Sequence, residues 1–239
     1  MRLRIFVRIS RNHKIMARTF DGTDDMIEFA GKSFIGNSTA FTISLWFRMT
    51  GTTNRCFYCE SYTADGDTII YIKGNENTAG DIEYGTINDA AGFSGVASGG
   101  IGINDGVWHH VVAVNYGSTS RELWVDGVSR GTDTATKGTV TTNQLYLGRQ
   151  RRGTGAFFAP HNGPIANVGI WTRALRPREV TSLYKGYAPS FLDDSLVGDI
   201  PIIGNNSPEP DRRGGAVNGT VTGAVKYLHP RTIFPRNFR

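Results

Sequence analysis

The sequence predicts an all-β fold, a two-sheet antiparallel sandwich with one short helix, and three observations predict it. First, Phe41, Ile43, Leu45, Phe47 and Met49 alternate with Thr42, Ser44, Trp46, Arg48 and Thr50, the period of a strand with one buried face. Second, short β-rich runs recur at 68–73, 108–116, 121–125, 145–147 and 165–171. Third, the pairs Asp65-Gly66, Asp105-Gly106 and Asp126-Gly127 offer residues that tolerate positive φ in a tight turn. The Gly-rich stretch from Gly92 to Gly102 reads as a loop or bulge. Strands this short, punctuated this often, suit a sandwich or jelly roll.

The helix is expected near 177–185. Pro177 suits a first helical position, where the missing N–H is no loss. Val180, Leu183 and Tyr184 then form one apolar stripe, and Gly186 is a natural left-handed terminator.

A chain of 239 residues can be a single all-β unit. With 30 Gly and 2 Cys it is neither collagen, a disulfide miniprotein nor a coiled coil. No run approaches the 18 apolar residues of a membrane span.

The net charge of +5 divides unevenly. Residues 1–16 carry five basic side chains and no acid, and residues 212–239 carry six and no acid, so the body between them is acidic by six charges. Such ends suit an anionic partner. With no nucleic-acid motif in the chain, they read as solvated extensions rather than a specific nucleic-acid site. In residues 1–16, Leu3, Ile5, Val7 and Ile9 alternate with Arg2, Arg4, Phe6 and Arg8, and Arg8 interrupts any secretory h-region. Met16 offers a second start, which leaves the segment as an upstream extension, an added edge strand or an assembly arm.

Several segments resemble the laminin-G-like jelly rolls of the concanavalin A-like lectin/glucanase superfamily. Phe20-Asp21-Gly22-Thr23-Asp24-Asp25-Met26-Ile27 is similar to the family's first strand, and Phe41-Thr42-Ile43-Ser44-Leu45-Trp46-Phe47 to its second. Trp108-His109-His110-Val111-Val112-Ala113-Val114 and Leu123-Trp124-Val125-Asp126-Gly127 resemble the central hairpin. Residues 163–175, Gly-Pro-Ile-Ala-Asn-Val-Gly-Ile-Trp-Thr-Arg-Ala-Leu, resemble the closing strand and the entry to the helix. The matches span roughly 19–187 in order. Residues 195–230 resemble a C-terminal extension of single-domain relatives, many encoded by tailed bacteriophages, with 196–204 and 216–225 expected to pack back on the sandwich. The resemblance implies a basic extension over 1–16, one jelly-roll domain over 17–225 and a basic tail over 226–239.

A fold is not a function. Superfamily members that cleave β-glucans resemble one another in a Glu-x-Asp-x-x-Glu strand, where period two sets alternate carboxylates on one face. Here Glu209-Pro210-Asp211 lacks the second Glu, and Asp81-Ile82-Glu83 lacks a third acid, so a glycoside hydrolase is disfavoured and no enzymatic activity is expected. Cys56-Phe57-Tyr58-Cys59 has no second half-site for zinc, and the thiols read as buried. His109 and His110 sit on opposite faces of one strand and cannot share an ion. Calcium is the one cofactor the resemblance holds open, with Asp21, Asp24, Asp25, Asp65 and Asp67 as the available carboxylates. Those residues equally suit turns that bond their own backbone.

The four Trp residues all lie in strand motifs and read largely as core. Candidate ligand-binding residues are those placed in loops: Tyr58, Tyr62, Arg149, Arg151, Arg152, His161 and Asn162. The basic run Arg149-Gln150-Arg151-Arg152 suits an acidic glycan or a partner's carboxylates. Two functions are expected from this pattern. One is a virion-associated decoration, fibre or tail protein docking through its basic ends; the alternative is a lectin-like module recognising a surface glycan. Either implies a virion or extracellular setting, with glycan or virion proteins as partners, and leaves homo-oligomerisation open.

Overall fold

The computed structural model describes residues 16–63, 68–88, 92–136, 140–153, 155–203, 207–213, 217–229 and 232–233. The strands in chain order are β1 (Met16–Asp21), β2 (Met26–Phe29), β3 (Phe41–Phe47), β4 (Arg55–Ser61), β5 (Ile69–Gly74), β6 (Ile82–Asn88), β7 (Gly92–Ala97), β8 (His109–Gly117) and β9 (Ser120–Val125). After them come β10 (Val128–Asp133), β11 (Gln144–Leu147), β12 (Gln150–Arg152), β13 (Ala156–Phe158) and β14 (Asn162–Trp171). Helix α1 (Pro177–Tyr184) and a 3-10 turn (Pro189–Phe191) precede β15 (Leu196–Ile200), β16 (Thr220–Thr222) and β17 (Val225–Leu228).

Two antiparallel sheets stack face to face. One has the order β10-β9-β8-β3-β14-β1-β17, with β15 also on β14; the other runs β16-β2-β11-β4-β5-β6-β7. β12 and β13 form a separate hairpin. Inward-facing residues such as Ile43, Leu45, Phe47, Phe57, Ile72, Val111, Leu123 and Ile165 fill the space between the sheets. That alternation is the one read from the sequence, and it fixes the register because a one-residue slip would turn the apolar set outward.

Two smaller clusters lie outside the sandwich. Val180 and Leu183 of α1 cover Val112, Val114 and Trp171 on the outer face of the first sheet. On the outer face of the second sheet, Cys56, Cys59, Tyr71 and Tyr146 are buried beneath Phe157 and Ala159. The helix begins at Pro177 as expected, and Glu179 closes a capping box by accepting the Arg176 N–H at 2.7 Å. It ends at Tyr184, one residue earlier than expected, before Gly186 at φ +91°.

The central hairpin shows how local chemistry sets topology. Asp126 and Gly127, at φ +53° and +74°, make the β9–β10 turn. Asp126 Oδ1 accepts the His110 N–H at 2.8 Å, and its Oδ2 lies 2.7 Å from His109 Nδ1. His110 points the other way, with Nε2 2.9 Å from Ser44 Oγ, and burial drives its pKa down to about 3. The two rings share no ligand position.

One sequence expectation needs correction. Gly92–Ala97 is not a loop but edge strand β7, registered on β6 from Asn88↔Gly92 to Glu83↔Ala97. The glycines are used for packing, since a Cβ at Gly85 would run into Tyr71 and one at Gly95 into Phe93. β1 and β17 pair antiparallel, with Met16 opposite Leu228 and Thr19 opposite Val225. In the C-terminal segment, β15 pairs with β14 and β16 with β2. Residues 1–15, Asp65-Gly66 and Asp67 lie outside the described residues.

Candidate functional site

The seven-stranded sheet carries a groove on its outer face, built from strands far apart in sequence. Register places Tyr146 of β11 beside Glu28 of β2, and Gln144 two residues away on the same face. The β12–β13 hairpin folds over this surface and adds Arg151, Gly155 and Phe157; Met26 and Thr63 complete the walls. The groove is open to solvent, with a volume of about 410 Å³.

One hydrogen-bond network sets its polar groups. The Tyr146 hydroxyl lies 2.6 Å from Gln144 Oε1 and 3.1 Å from Glu28 Oε1. Arg151 Nη1 donates to Gln144 Oε1 at 2.9 Å and to the Tyr146 oxygen at 3.2 Å, while Gln144 Nε2 donates to Glu28 Oε1 at 3.2 Å. Phe157 meets Tyr146 edge to face, with ring centroids 5.5 Å apart, and takes the Arg149 guanidinium 4.6 Å above its own ring. Tyr146 is itself only 1% exposed, so it reaches the groove through its hydroxyl environment, while Phe157 and Met26 supply the accessible apolar wall.

Near the Arg149 end of the hairpin is an acidic cluster. Asp21, Asp24 and Asp25 each present a carboxylate oxygen within 4.8 Å of the others. Asp25 is largely buried and its Oδ2 accepts the Asp21 N–H at 2.9 Å. Burial, assisted by the Asp21 and Asp24 charges, holds its pKa above the ordinary carboxylate range. Arg149 Nη1 reaches the Asp24 carbonyl at 3.5 Å, and exposed Asn162 stands directly across from Asp21. Three carboxylates this close together form an all-oxygen donor set of the kind a hard divalent cation takes. A Cβ at Gly223 would collide with Asp25 Oδ1, so Gly223→Ala is expected to displace Asp25. A calcium-dependent rise in melting temperature present in wild type and absent from Gly223→Ala would verify that placement.

Two of the residues placed in loops by sequence belong to the core. Tyr58 is fully buried in β4 and its hydroxyl donates to Glu60 Oε1 at 2.6 Å. A bulge between Cys56 and Tyr58 turns both Phe57 and Tyr58 inward, which erases the alternation that would have marked a strand. His161 is likewise fully buried, with ring centroids 5.9 Å from Phe20 and 4.9 Å from Phe57. Burial lowers its pKa to about 3, so it is a neutral packing residue. Tyr62 is half-buried just past β4 and does not line the groove, although its neighbour Thr63 does. Of the basic run, Arg151 lines the groove, Arg149 flanks it, Gln150 is buried, and Arg152 stands one residue further along β12 opposite Ala156. The thiols of Cys56 and Cys59 are buried and unpaired, and burial pushes Cys59 up to about 12.

Glu28, Gln144, Tyr146 and Phe157 were missed by sequence. Their signal was weak: Glu28 and Met26, like Gln144 and Tyr146, share a strand face by period two, but nothing local says that the two faces adjoin. A second depression near Ser38, Asn115 and Arg121, at about 40 Å³, has room for little more than water.

An antiparallel jelly-roll sandwich with an open polar groove on one sheet defines the lectin-like class of β-domains. The chain belongs to the concanavalin A-like lectin/glucanases superfamily, whose laminin-G family model matches residues 21–181. A curated relative, C-reactive protein of Oryctolagus cuniculus, is 33% identical over 79 residues, which is 30% of this chain and about a third (35%) of that protein's length. Among solved structures, the heptameric SAP-like pentraxin of Limulus polyphemus superposes with a TM-score of 0.58 at 16% identity, covering 88% of this chain and 96% of that one. The CBM40 of a Ruminococcus gnavus IT-sialidase, bound to α2,3-sialyllactose, does so with a TM-score of 0.56 at 12% identity, covering 72% and 99%. Among the described residues, no helix is long and apolar enough to cross a membrane.

Proposed function

We propose that this protein is a non-catalytic glycan-binding module of an extracellular or particle-surface setting, with the groove over β2 and β11 as its saccharide site. The groove carries this reading. Sugars present hydroxyls that need both donors and acceptors, beside C–H faces that need apolar contact. Arg151, Gln144 and Glu28 supply the first in a prearranged network, and Phe157 and Met26 supply the second. The sialyllactose-bound neighbour shares the fold and so supports a saccharide as the ligand class.

Carboxylates that would serve hydrolysis are engaged elsewhere. Asp81 accepts the N–H groups of Glu76, Asn77 and Thr78, and Glu83 binds Tyr71 and Asn77. Glu209 is fully buried against Arg18. This supports a binding rather than a catalytic role. Asp21, Asp24 and Asp25 would hold calcium, which when bound supplies a hard positive centre for hydroxyl or carboxylate oxygens next to the groove.

A glycan array, run with calcium and with chelator, tests the reading. Gln144→Ala and Phe157→Ala are each expected to weaken binding about tenfold, the loss of roughly one good contact. Undiminished binding in both variants, or silence from a folded protein across the array, would reject the groove as a saccharide site.

A second reading, assembly onto a larger particle as a decoration, fibre or tail component, is favoured by the open edge of β17. Val225 and Leu228 are 60% and 67% exposed there, beside a strand edge that no described strand pairs. Val225→Lys with Leu228→Lys is expected to abolish self-association or particle binding in sedimentation; an unchanged profile would remove this reading.

A further inference from the structure

We propose that the groove selects uncharged saccharides and discriminates against carboxylated ones, through Glu28; this rests on the saccharide reading above. The basic run on β12 points superficially to an acidic ligand, but its side chains do not converge. Gln150 is buried, and Arg149 is diverted onto the Phe157 ring and the Asp24 carbonyl. Arg151 and Arg152 are consecutive in a strand, opposite Phe157 and Ala156, so they leave the hairpin on opposite faces and cannot close on one carboxylate.

Among the described residues, that leaves Arg151 as the single cation lining the groove, matched by the single anion Glu28. The two are tied to the same atom, since Glu28 Oε1 is 3.1 Å and Arg151 Nη1 3.2 Å from the Tyr146 hydroxyl oxygen. A ligand carboxylate placed on Arg151 therefore sits within a few ångströms of the Glu28 carboxylate and is repelled by it. A neutral ligand meets no such opposition. Adjacent hydroxyls of one sugar can donate to Glu28 and accept from Arg151 at once, which uses both charges in the sense each prefers. The arrangement is a donor and an acceptor set side by side, the pattern of a vicinal diol rather than of an acid.

The test compares matched neutral and acidic probes on the full chain: lactose, arabinotriose and cellotriose against 3′-sialyllactose and trigalacturonate, on wild type, Glu28→Gln and Gln144→Ala. Wild type is expected to prefer the neutral set by about tenfold, the size of one screened like-charge contact. Glu28→Gln keeps an acceptor and removes the charge, so it should weaken neutral binding by a few fold while shifting the acidic-to-neutral binding ratio about tenfold toward the acidic probes. Equal or stronger wild-type binding of the acidic probes, lost in Gln144→Ala, would overturn the selectivity while leaving the saccharide site standing. Binding of any probe that ignores both substitutions, in variants whose melting curves match wild type, would overturn the site and the selectivity together. Silence toward both sets would do the same.

Discussion

Replacing Arg18 with alanine is expected to lower the stability of the protein by about 3–5 kcal/mol, the usual effect of breaking a buried ion pair from one side. Arg18 leaves β1 with its side chain 7% exposed, and Nε donates to Glu209 Oε1 at 2.6 Å; Glu209 has no exposure at all. The same guanidinium donates through Nη1 to the Ala224 carbonyl at 2.6 Å. Glu209 in turn accepts the Ile203 N–H at 3.1 Å, and its backbone pairs with Gly219. One arginine thus fastens three stretches of the returning C-terminal segment to the first strand. Removing it strands a carboxylate where water cannot reach, and that uncompensated charge dominates the loss. For a domain of this size the melting temperature should drop by roughly 10 °C. The paired change Arg18→Met with Glu209→Leu should recover most of it, because no lone charge is left behind. A single variant that melts within a degree or two of wild type would show that the pair contributes nothing.

Asp199 is expected to act in the opposite sense, making the protein less stable as pH rises from about 4 to about 6. It lies on β15, 1% exposed, and among the described residues neither of its carboxylate oxygens has a hydrogen-bond partner. Burial raises its pKa to about 6, the neighbouring Asp211 adds to this, and Arg212 and Arg213 oppose it. Because the folded-state pKa lies above the ordinary carboxylate value, the native chain holds a proton through this window that the unfolded chain has released. Stability therefore declines as pH increases through it and levels off above about 6. The shift corresponds to at most about 3 kcal/mol. Asp199→Asn should raise stability at pH 7 by up to that amount and remove its share of the slope. The introduced amide also gains a nearby acceptor, since Asp199 N–H already bonds Asp211 Oδ1 at 2.9 Å and Asp211 Oδ2 is unpartnered. Urea midpoints for wild type and variant at pH 4.5, 5.5 and 7.5 measure this. Parallel curves would mean the carboxyl titrates normally.

What could be read from the chain depended on whether one residue's environment is set by its own strand. β9 was legible because one of its faces is inward, and β3, though buried on both faces, because its apolar side chains alternate with Thr42, Ser44 and Trp46. The Asp126-Gly127 turn and the Pro177 helix start were legible because φ preference and a missing N–H are local properties. β4 was not. Its outer face is roofed by the β12–β13 hairpin, so Arg-Cys-Phe-Tyr-Cys-Glu-Ser is buried almost throughout and has no period to detect. The bulge between Cys56 and Tyr58, which turns Phe57 and Tyr58 both inward, explains the misplacement of Tyr58. His161 was misread for a different reason, since a polar residue after Ala159-Pro160 gives no hint that Phe20 and Phe57 close over it.

By itself the sequence determined the sandwich, the helix and the central hairpin. All of these follow from periodicity, turn chemistry and ordered family motifs. The tertiary structure alone decided which polar residues meet. Glu28, Gln144, Tyr146, Arg151 and Phe157 are up to 129 positions apart in the chain, and they become neighbours only because β2 pairs with β11 and a hairpin folds back over that pair. Antiparallel pairing brings together residues whose separation in sequence carries no energy of its own, so the fold could be written locally while the site could not.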